Sequence, residues 1–253
     1  MGIREVRAAL APSGVLRAGL NYGNSLLVLP DGPTGEPRGV APDLAREIGR
    51  RLGVPLEFVR YPQAGPLADG AGDNRWDIAF LGNEPQRAAE IAFSPAYLEI
   101  PVTYLVPAGS PIRTLADVDR DGVRIAVSAK SAYDLFLSRT LEHAALVRAE
   151  GIEASVTLFV EAKLDALACL KPRLVAAADA LPGSRVLDGR VTGVQQSIGT
   201  PRGRGGSNFM VAGRGSAGAG AAFLREFVEG AKASGLVARL IEAHRVRGVT
   251  VPE

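Results

Sequence analysis

Few residues in this chain have the type and spacing to do chemistry, and each is weighed against a plainer role. Gly213-Arg214-Gly215-Ser216-Ala217-Gly218 matches the G-x-G-x-x-G pattern of dinucleotide-binding turns. That pattern needs a second strand carrying an acid about twenty residues on. Here a helical pattern runs through that point and the chain soon ends, so a glycine turn with Ser216 capping a helix is the better reading. Lys130-Ser131 follows one apolar run and opens a helical one. Ser131 can cap that helix, and the free N–H groups of its first turn can hold a carboxylate or phosphate. Cys169 is the single cysteine, which excludes an intramolecular disulfide and a thiolate zinc cluster. Its apolar surroundings suggest a buried, inert thiol. Two histidines, His143 and His244, are too few for a histidine metal site and read as helix surface residues. Glu84, Glu90 and Glu99 flank an arginine, yet no pair has a spacing that demands acid–base catalysis.

The elements that must position these residues follow from pattern. The chain has 253 residues, 47% hydrophobic and 22% charged, enough to bury a sizeable core in one large or two small domains. A net charge of +2 gives no drive toward nucleic acid or an anionic membrane. No apolar run is long enough to span a bilayer, and MGIREVRAALAPSG lacks the apolar core of a signal peptide. Strands are expected at Val15–Asn21, Val54–Tyr61, Trp76–Leu81, Ile100–Val106, Val123–Ser128, Asp165–Leu170, Val191–Gly199 and Asn208–Ala212. Helices are expected at Pro42–Leu52, Ser131–Leu141, Leu158–Leu164, Pro172–Leu181 and Ala219–His244, the last with a break near Gly235. In the first of these, Leu44, Ile48 and Leu52 mark a buried stripe and Gly53 stops the helix. Trp76, Phe80, Phe159 and Phe227 are expected in the core. Alternating strands and helices predict an α/β fold with mainly parallel sheets.

The run WDIAFLGNEPQRAAEIAFSPAYLEIPVTYLVPAGSP from Trp76 resembles the family 3 extracellular solute-binding proteins, the polar amino-acid receptors of ABC importers. The matching residues are Asp77, Arg87, Phe93, Ser94, Pro95, Tyr97 and Tyr104-Leu105-Val106. Gly39–Ala45, Leu115–Val118, Val123–Val127 and Leu164-Asp165-Ala166 match further family motifs in the correct order, so the resemblance covers roughly Val15 to His244.

The resemblance implies a two-lobe periplasmic-binding-protein-like fold with two hinge crossings, near Tyr104–Ser110 and Gly193–Thr200. Lobe 1 would hold residues 1–106 and 198–253, lobe 2 residues 107–197, with a small carboxylate-bearing ligand in the interlobe cleft. Arg87 would hold the carboxylate through its planar fork. Gly82 would offer only its N–H, beside Asn83. Asn21, Tyr22 and Asn24 would contribute from the first strand, and Ser128, Lys130, Ser131 and Tyr133 from the second lobe. Leu170 stands where the family usually carries an ammonium-binding Asp, so plain α-amino acids are expected to bind poorly unless Glu84, Asp134, Asn21 or Tyr22 takes the ammonium. The implied function is non-enzymatic delivery to ABC permease subunits by a monomer, periplasmic or extracellular, without cofactor or metal. The alternative is a cyclohexadienyl dehydratase-like enzyme on the same scaffold, with Glu84 or Lys130 as its acid or base.

Overall fold

A computed structural model describes residues 2–202 and 216–253. In chain order the elements are α1 (Ile3–Leu10), β1 (Leu16–Asn21), α2 (Val40–Leu52), β2 (Leu56–Tyr61), α3 (Ala64–Asp69), β3 (Ile78–Gly82) and β4 (Ile91–Val106). There follow β5 (Arg124–Ser128), α4 (Ala132–Thr140), β6 (Ala145–Ala149), α5 (Ile152–Glu161), β7 (Ala166–Leu170), α6 (Lys171–Ala180) and β8 (Arg185–Val186). The chain then forms β9 (Thr192–Pro201), α7 (Ser216–Ala233) and α8 (Leu236–Ala243). Strands alternate with helices, as the pattern predicts, and the fold is the two-lobe α/β kind. Among the described residues no helix is long and apolar enough to cross a membrane.

The chain divides into two compact units. Unit 1 holds Met1–Leu98, Gln195–Val246 and Val251–Glu253; unit 2 holds Glu99–Val194 and Arg247–Thr250. The division falls inside two long strands. β4 enters unit 2 at Glu99, upstream of the breakers Pro107 and Gly109 that suggested a crossing at Tyr104–Ser110. β9 enters unit 1 at Gln195. An unbroken strand gives no sequence signal at such a point, which is why the expected lobe edge at Val106 differs from the observed one.

In unit 1, β1 pairs in parallel with β2 and β3, and β3 pairs antiparallel with β9. Helix α2 buries Leu44, Ile48 and Leu52, one residue per turn on the same face. It ends where Gly53 takes the left-handed conformation, φ 62°. The indole of Trp76 is fully buried and donates to Leu67 O at 2.8 Å. Gly19 lies directly beneath it: a Cβ there would fall 2.6 Å from Leu67 Cδ1 and 3.2 Å from the indole. The C-terminal helical stretch breaks at Gly235, φ 71°, as expected.

Unit 2 repeats the layout. β5 pairs in parallel with β6 and β7, and β7 pairs antiparallel with β4. Phe159 and Cys169 are buried here, and Trp76, Phe80 and Phe227 in unit 1, in line with their apolar contexts.

Several expectations need correction. The strand predicted at Ile100–Val106 begins at Ile91 and runs through Ser94-Pro95, which the expected bounds left outside it. The helix predicted at Leu158–Leu164 is α5, which starts at Ile152 behind Gly151. Two further elements were not expected: α1, which buries Val6 and Leu10 on one face, and β6, which has no buried side chain. His143 lies outside any helix, its N–H donating to Asp119 Oδ1 at 2.8 Å. His244 follows α8, with Nε2 2.6 Å from Asp43 Oδ2. The strand predicted at 208–212 and the glycines at 213 and 215 lie outside the described residues.

Candidate functional site

Each unit gathers candidate residues at the carboxyl ends of its parallel strands, where open α/β sheets place their ligands. In unit 1, Leu20 pairs with Phe80, so the turns after β1 and β3 emerge side by side. The turn after β1 is held by Gly23 N–H donating to Asn21 Oδ1 at 3.1 Å and Asn24 N–H to Asn21 O at 3.2 Å. Asn24 is buried, and its Oδ1 accepts no hydrogen bond. A buried acceptor without a donor costs about 1–3 kcal/mol, so such an atom invites a partner. Tyr22 is tied elsewhere. Its hydroxyl meets Asp31 Oδ1 at 2.6 Å and accepts from Arg60 Nε at 3.1 Å.

After β3, Asn83 N–H donates to Gln195 O at 2.8 Å, which fastens the turn to β9. Arg87 occupies a short 3-10 turn, Arg87–Ala89, and is only 7% exposed. Its Nη1 donates to Gly82 O at 2.7 Å. Burial pulls the guanidinium down to about 10, against the opposing pull of Glu84 and Asp69. Arg87 is therefore no solvated loop arginine; the carboxyl end of β3 holds it in place. Glu84 is also nearly buried, in the same turn. Asp77, at the opposite end of β3, is fully buried and takes Arg17 N–H at 2.6 Å and Arg17 Nη2 at 2.9 Å. It locks β3 to β1 and lies away from the turns.

In unit 2 the turn after β5 is a capping device. Lys130 has φ 53°, a left-handed conformation, and its N–H donates to Asp134 Oδ2 at 2.8 Å. Ser131 caps α4, its Oγ accepting from Asp134 N–H at 3.1 Å. Ser131 N–H donates to Ser128 O at 3.2 Å. Thus the N–H groups of Lys130 and Ser131, expected to reach a ligand, are already taken. The next two, of Ala132 and Tyr133, carry no hydrogen bond among the described residues. They are the first-turn donors that a helix leaves open.

Asp134 was a possible seat for an ammonium. The structure commits it to the Lys130 N–H and to Arg148, whose Nε stands 2.9 Å from Oδ1. The signal was present in sequence, since Ser131-Ala132-Tyr133-Asp134 is the S-x-x-D form of a capping box. Tyr133 turns inward. It is buried, with its hydroxyl 3.5 Å from Cys169 Sγ and within reach of Ser128 and Ser131. Burial pushes the Tyr133 hydroxyl well up and the Cys169 thiol to about 11, so both stay neutral. Leu170 ends β7 opposite Val102 and is buried at the foot of α6.

The sequence matches the description "Bacterial extracellular solute-binding proteins, family 3" over residues 28–244, and the chain belongs to that family. No curated protein matches it by sequence. Solved structures are similar in fold. The solute receptor for L-cysteine of Neisseria gonorrhoeae has TM-score 0.76 at 17% identity, over 95% of this chain and 94% of that one. Holo ArgBP from T. maritima has TM-score 0.69 at 20% identity, over 92% and 97%. An ancestral amino acid-binding protein, named as a precursor of cyclohexadienyl dehydratase, has TM-score 0.71 at 19% identity, over 95% and 98%.

Proposed function

We propose that this chain is the extracytoplasmic receptor of an ABC importer and captures a small carboxylate ligand for the permease subunits. The observation that carries the reading is Arg87, a buried guanidinium held against Gly82 O at the carboxyl end of β3. Membership of the family supports the transport role. The guanidinium would take the carboxylate of the ligand as a charge-assisted pair. The open N–H groups of Ala132 and Tyr133 would take part of the same anion from unit 2. Asn83, Asn21 and Ser128 would line the ligand with neutral hydrogen-bonding groups.

The ligand class follows from Leu170. An ammonium beside it would have no acceptor, and an unpartnered buried charge costs several kcal/mol. Asp134 and Tyr22 are engaged with other groups. Asn24 Oδ1 remains as a neutral acceptor, with the Glu84 carboxylate in the neighbouring turn. We therefore expect an acid with an apolar or neutral group toward Leu170 to bind better than plain α-amino acids. Calorimetry with amino acids, their amino-free analogues and aromatic acids tests this. Micromolar binding of several plain α-amino acids, with the analogues inactive, would refute the reading of Leu170.

A second reading comes from the dehydratase-precursor fold relative. Glu84, nearly buried beside Arg87, is its best-placed acid. Release of phenylpyruvate from prephenate, or of phenylalanine from arogenate, each with loss of carbon dioxide and water and each lost in Glu84→Gln, would establish it in place of transport.

A further inference from the structure

Unit 2 has a hollow of about 330 Å³ at the amino end of β7, lined by Pro107, Phe159, Val160, Leu164, Leu181 and Pro182. β7 runs from Ala166 to Leu170, so this hollow and the Leu170 end are separated by the length of the strand, roughly 15 Å at 3.3 Å per residue. Its volume lies within the range of small-molecule sites, and its walls are mostly apolar. Val160, on its wall, is 46% exposed, an unusual degree for a large aliphatic side chain beside a concave surface.

Three polar residues border it, and two are satisfied internally. Ser184 Oγ donates to Leu181 O at 2.6 Å. Asp165 Oδ2 accepts from Arg124 N–H at 2.8 Å and pairs with Arg124 Nε at 3.5 Å. Lys163 is the third. Its backbone is fixed at φ 48°, with N–H donating to Val160 O and its carbonyl accepting from Arg124 Nη2 at 2.8 Å. Its ammonium pairs with no carboxylate among the described residues. A rigid turn therefore sets one cation at the border of an apolar hollow.

We propose that this hollow is a second binding site, for a small molecule with one compact apolar body and a single carboxylate, with Lys163 as the counter-ion. The apolar body displaces water from Phe159, Val160 and Leu164, and the acid stays at the wet border beside the ammonium. The hollow admits a single six-membered ring on a short acid arm. Because it lies at the far end of β7, its ligand does not compete for Arg87 or for the first turn of α4.

The test is a proton–nitrogen NMR titration of the full chain with phenylacetate, and with phenylacetamide as its neutral isostere. Saturable shifts at the amides of Val160, Lys163, Leu164 and Ser184 are expected. Val160→Trp fills the hollow at a half-exposed position and should abolish them. Val160→Glu, should the tryptophan variant fail to fold, places a repelling charge there and should weaken binding at least as much as losing Lys163. Lys163→Gln should weaken phenylacetate by up to about fivefold, the scale of an exposed ion pair, and leave phenylacetamide unchanged. Absence of saturable shifts at these amides would overturn the site, as would shifts confined to Ala132 and Arg87 or shifts that persist in both Val160 variants. Equal affinity for the acid and the amide would overturn the role of Lys163.

Discussion

The two units have the same strand plan and opposite chemistry at the strand ends. In unit 1, β1 lies between β2 and β3, with β9 antiparallel beyond; in unit 2, β5 lies between β6 and β7, with β4 antiparallel beyond. Unit 1 sets a buried guanidinium, a nearly buried carboxylate and an orphaned amide oxygen after its strands. Unit 2 joins its buried carboxylate, Asp134, to Arg148 and sets a neutral phenol, a neutral thiol, a leucine and two open N–H groups, with Lys130, at its own strand ends. The common plan supplies positions; the turns of unit 1 hold a buried guanidinium, while unit 2 commits its buried carboxylate to an internal ion pair and presents neutral groups beside it. Under the proposed function, unit 1 supplies most of the affinity for an anion, while unit 2 selects what else the ligand carries.

Removing the charge should give the largest effect. Arg87→Ala is expected to weaken carboxylate binding on the order of 100-fold, the scale of a lost charge-assisted pair, while unit 2 keeps its fold. Calorimetry with the best ligand of the panel measures it, and unchanged affinity would place anion recognition elsewhere. The same group gives a pH signature. Its conjugate acid titrates near 10 because burial disfavours the cation. Binding that needs this cation is therefore complete below that range and falls as pH rises through it. An affinity flat to pH 11 would mean that the bound anion holds the proton on, or that Arg87 is not the partner. Arg87→Lys separates these, since a lysine beside the same anion titrates but lacks the fork.

Next in size is the capping device of unit 2. Asp134 joins the Lys130 N–H, the Ser138 hydroxyl and Arg148. Asp134→Ala leaves the Lys130 N–H and Arg148 Nε without their acceptor, while the Ser138 hydroxyl keeps the Asp134 carbonyl, and should lower stability by about 2 kcal/mol, with the loss larger than in Asp134→Asn. Ser131→Ala removes the α4 cap and should cost about 1 kcal/mol. Urea unfolding measures both. Neither change touches Arg87, so under the proposed function both variants retain most of the carboxylate affinity. A 100-fold loss in Ser131→Ala with little loss of stability would reverse the assignment of roles between the units.

The architecture was legible where pattern and punctuation agree. The Leu44, Ile48, Leu52 stripe with Gly53 marks α2, the apolar run after Asp165 marks β7, and Gly235 marks the break between α7 and α8. Arg87 was legible only through its family context, since nothing in its own neighbours says that it is buried. What the sequence hid is mostly long-range. β4 runs through Pro95 because the strand gains its neighbours from residues far along the chain, such as Ser94 Oγ accepting from Ile198 N–H at 3.0 Å. The engagement of Asp134 combines a local box with Arg148, which β6 brings back beside α4. β6 is a peripheral strand with two exposed side chains and none buried, so its composition carries little of the apolar signal of the buried strands β5 and β7.

The smallest effect concerns Tyr133 and decides whether unit 2 reads its ligand by side chain or by backbone. Its place at the start of α4 suggests a ligand contact, whereas its burial and the 3.5 Å approach of its hydroxyl to Cys169 Sγ suggest a strut beneath the strand ends. Tyr133→Phe separates the two, because it deletes only the hydroxyl and keeps the Tyr133 N–H. As a strut, the hydroxyl contributes about 1 kcal/mol of stability through Cys169, Ser128 and Ser131, and its loss leaves affinity nearly unchanged. As a ligand contact, it contributes that amount to binding instead, and affinity falls about fivefold to tenfold with little change in stability. The strut reading carries a pH corollary. The hydroxyl lies well above its ordinary range and the thiol titrates near 11, so neither changes charge between pH 5 and 9. The effect of Tyr133→Phe on unfolding should therefore be constant across that interval, and a step near neutrality would show that the hydroxyl or the thiol changes charge there after all.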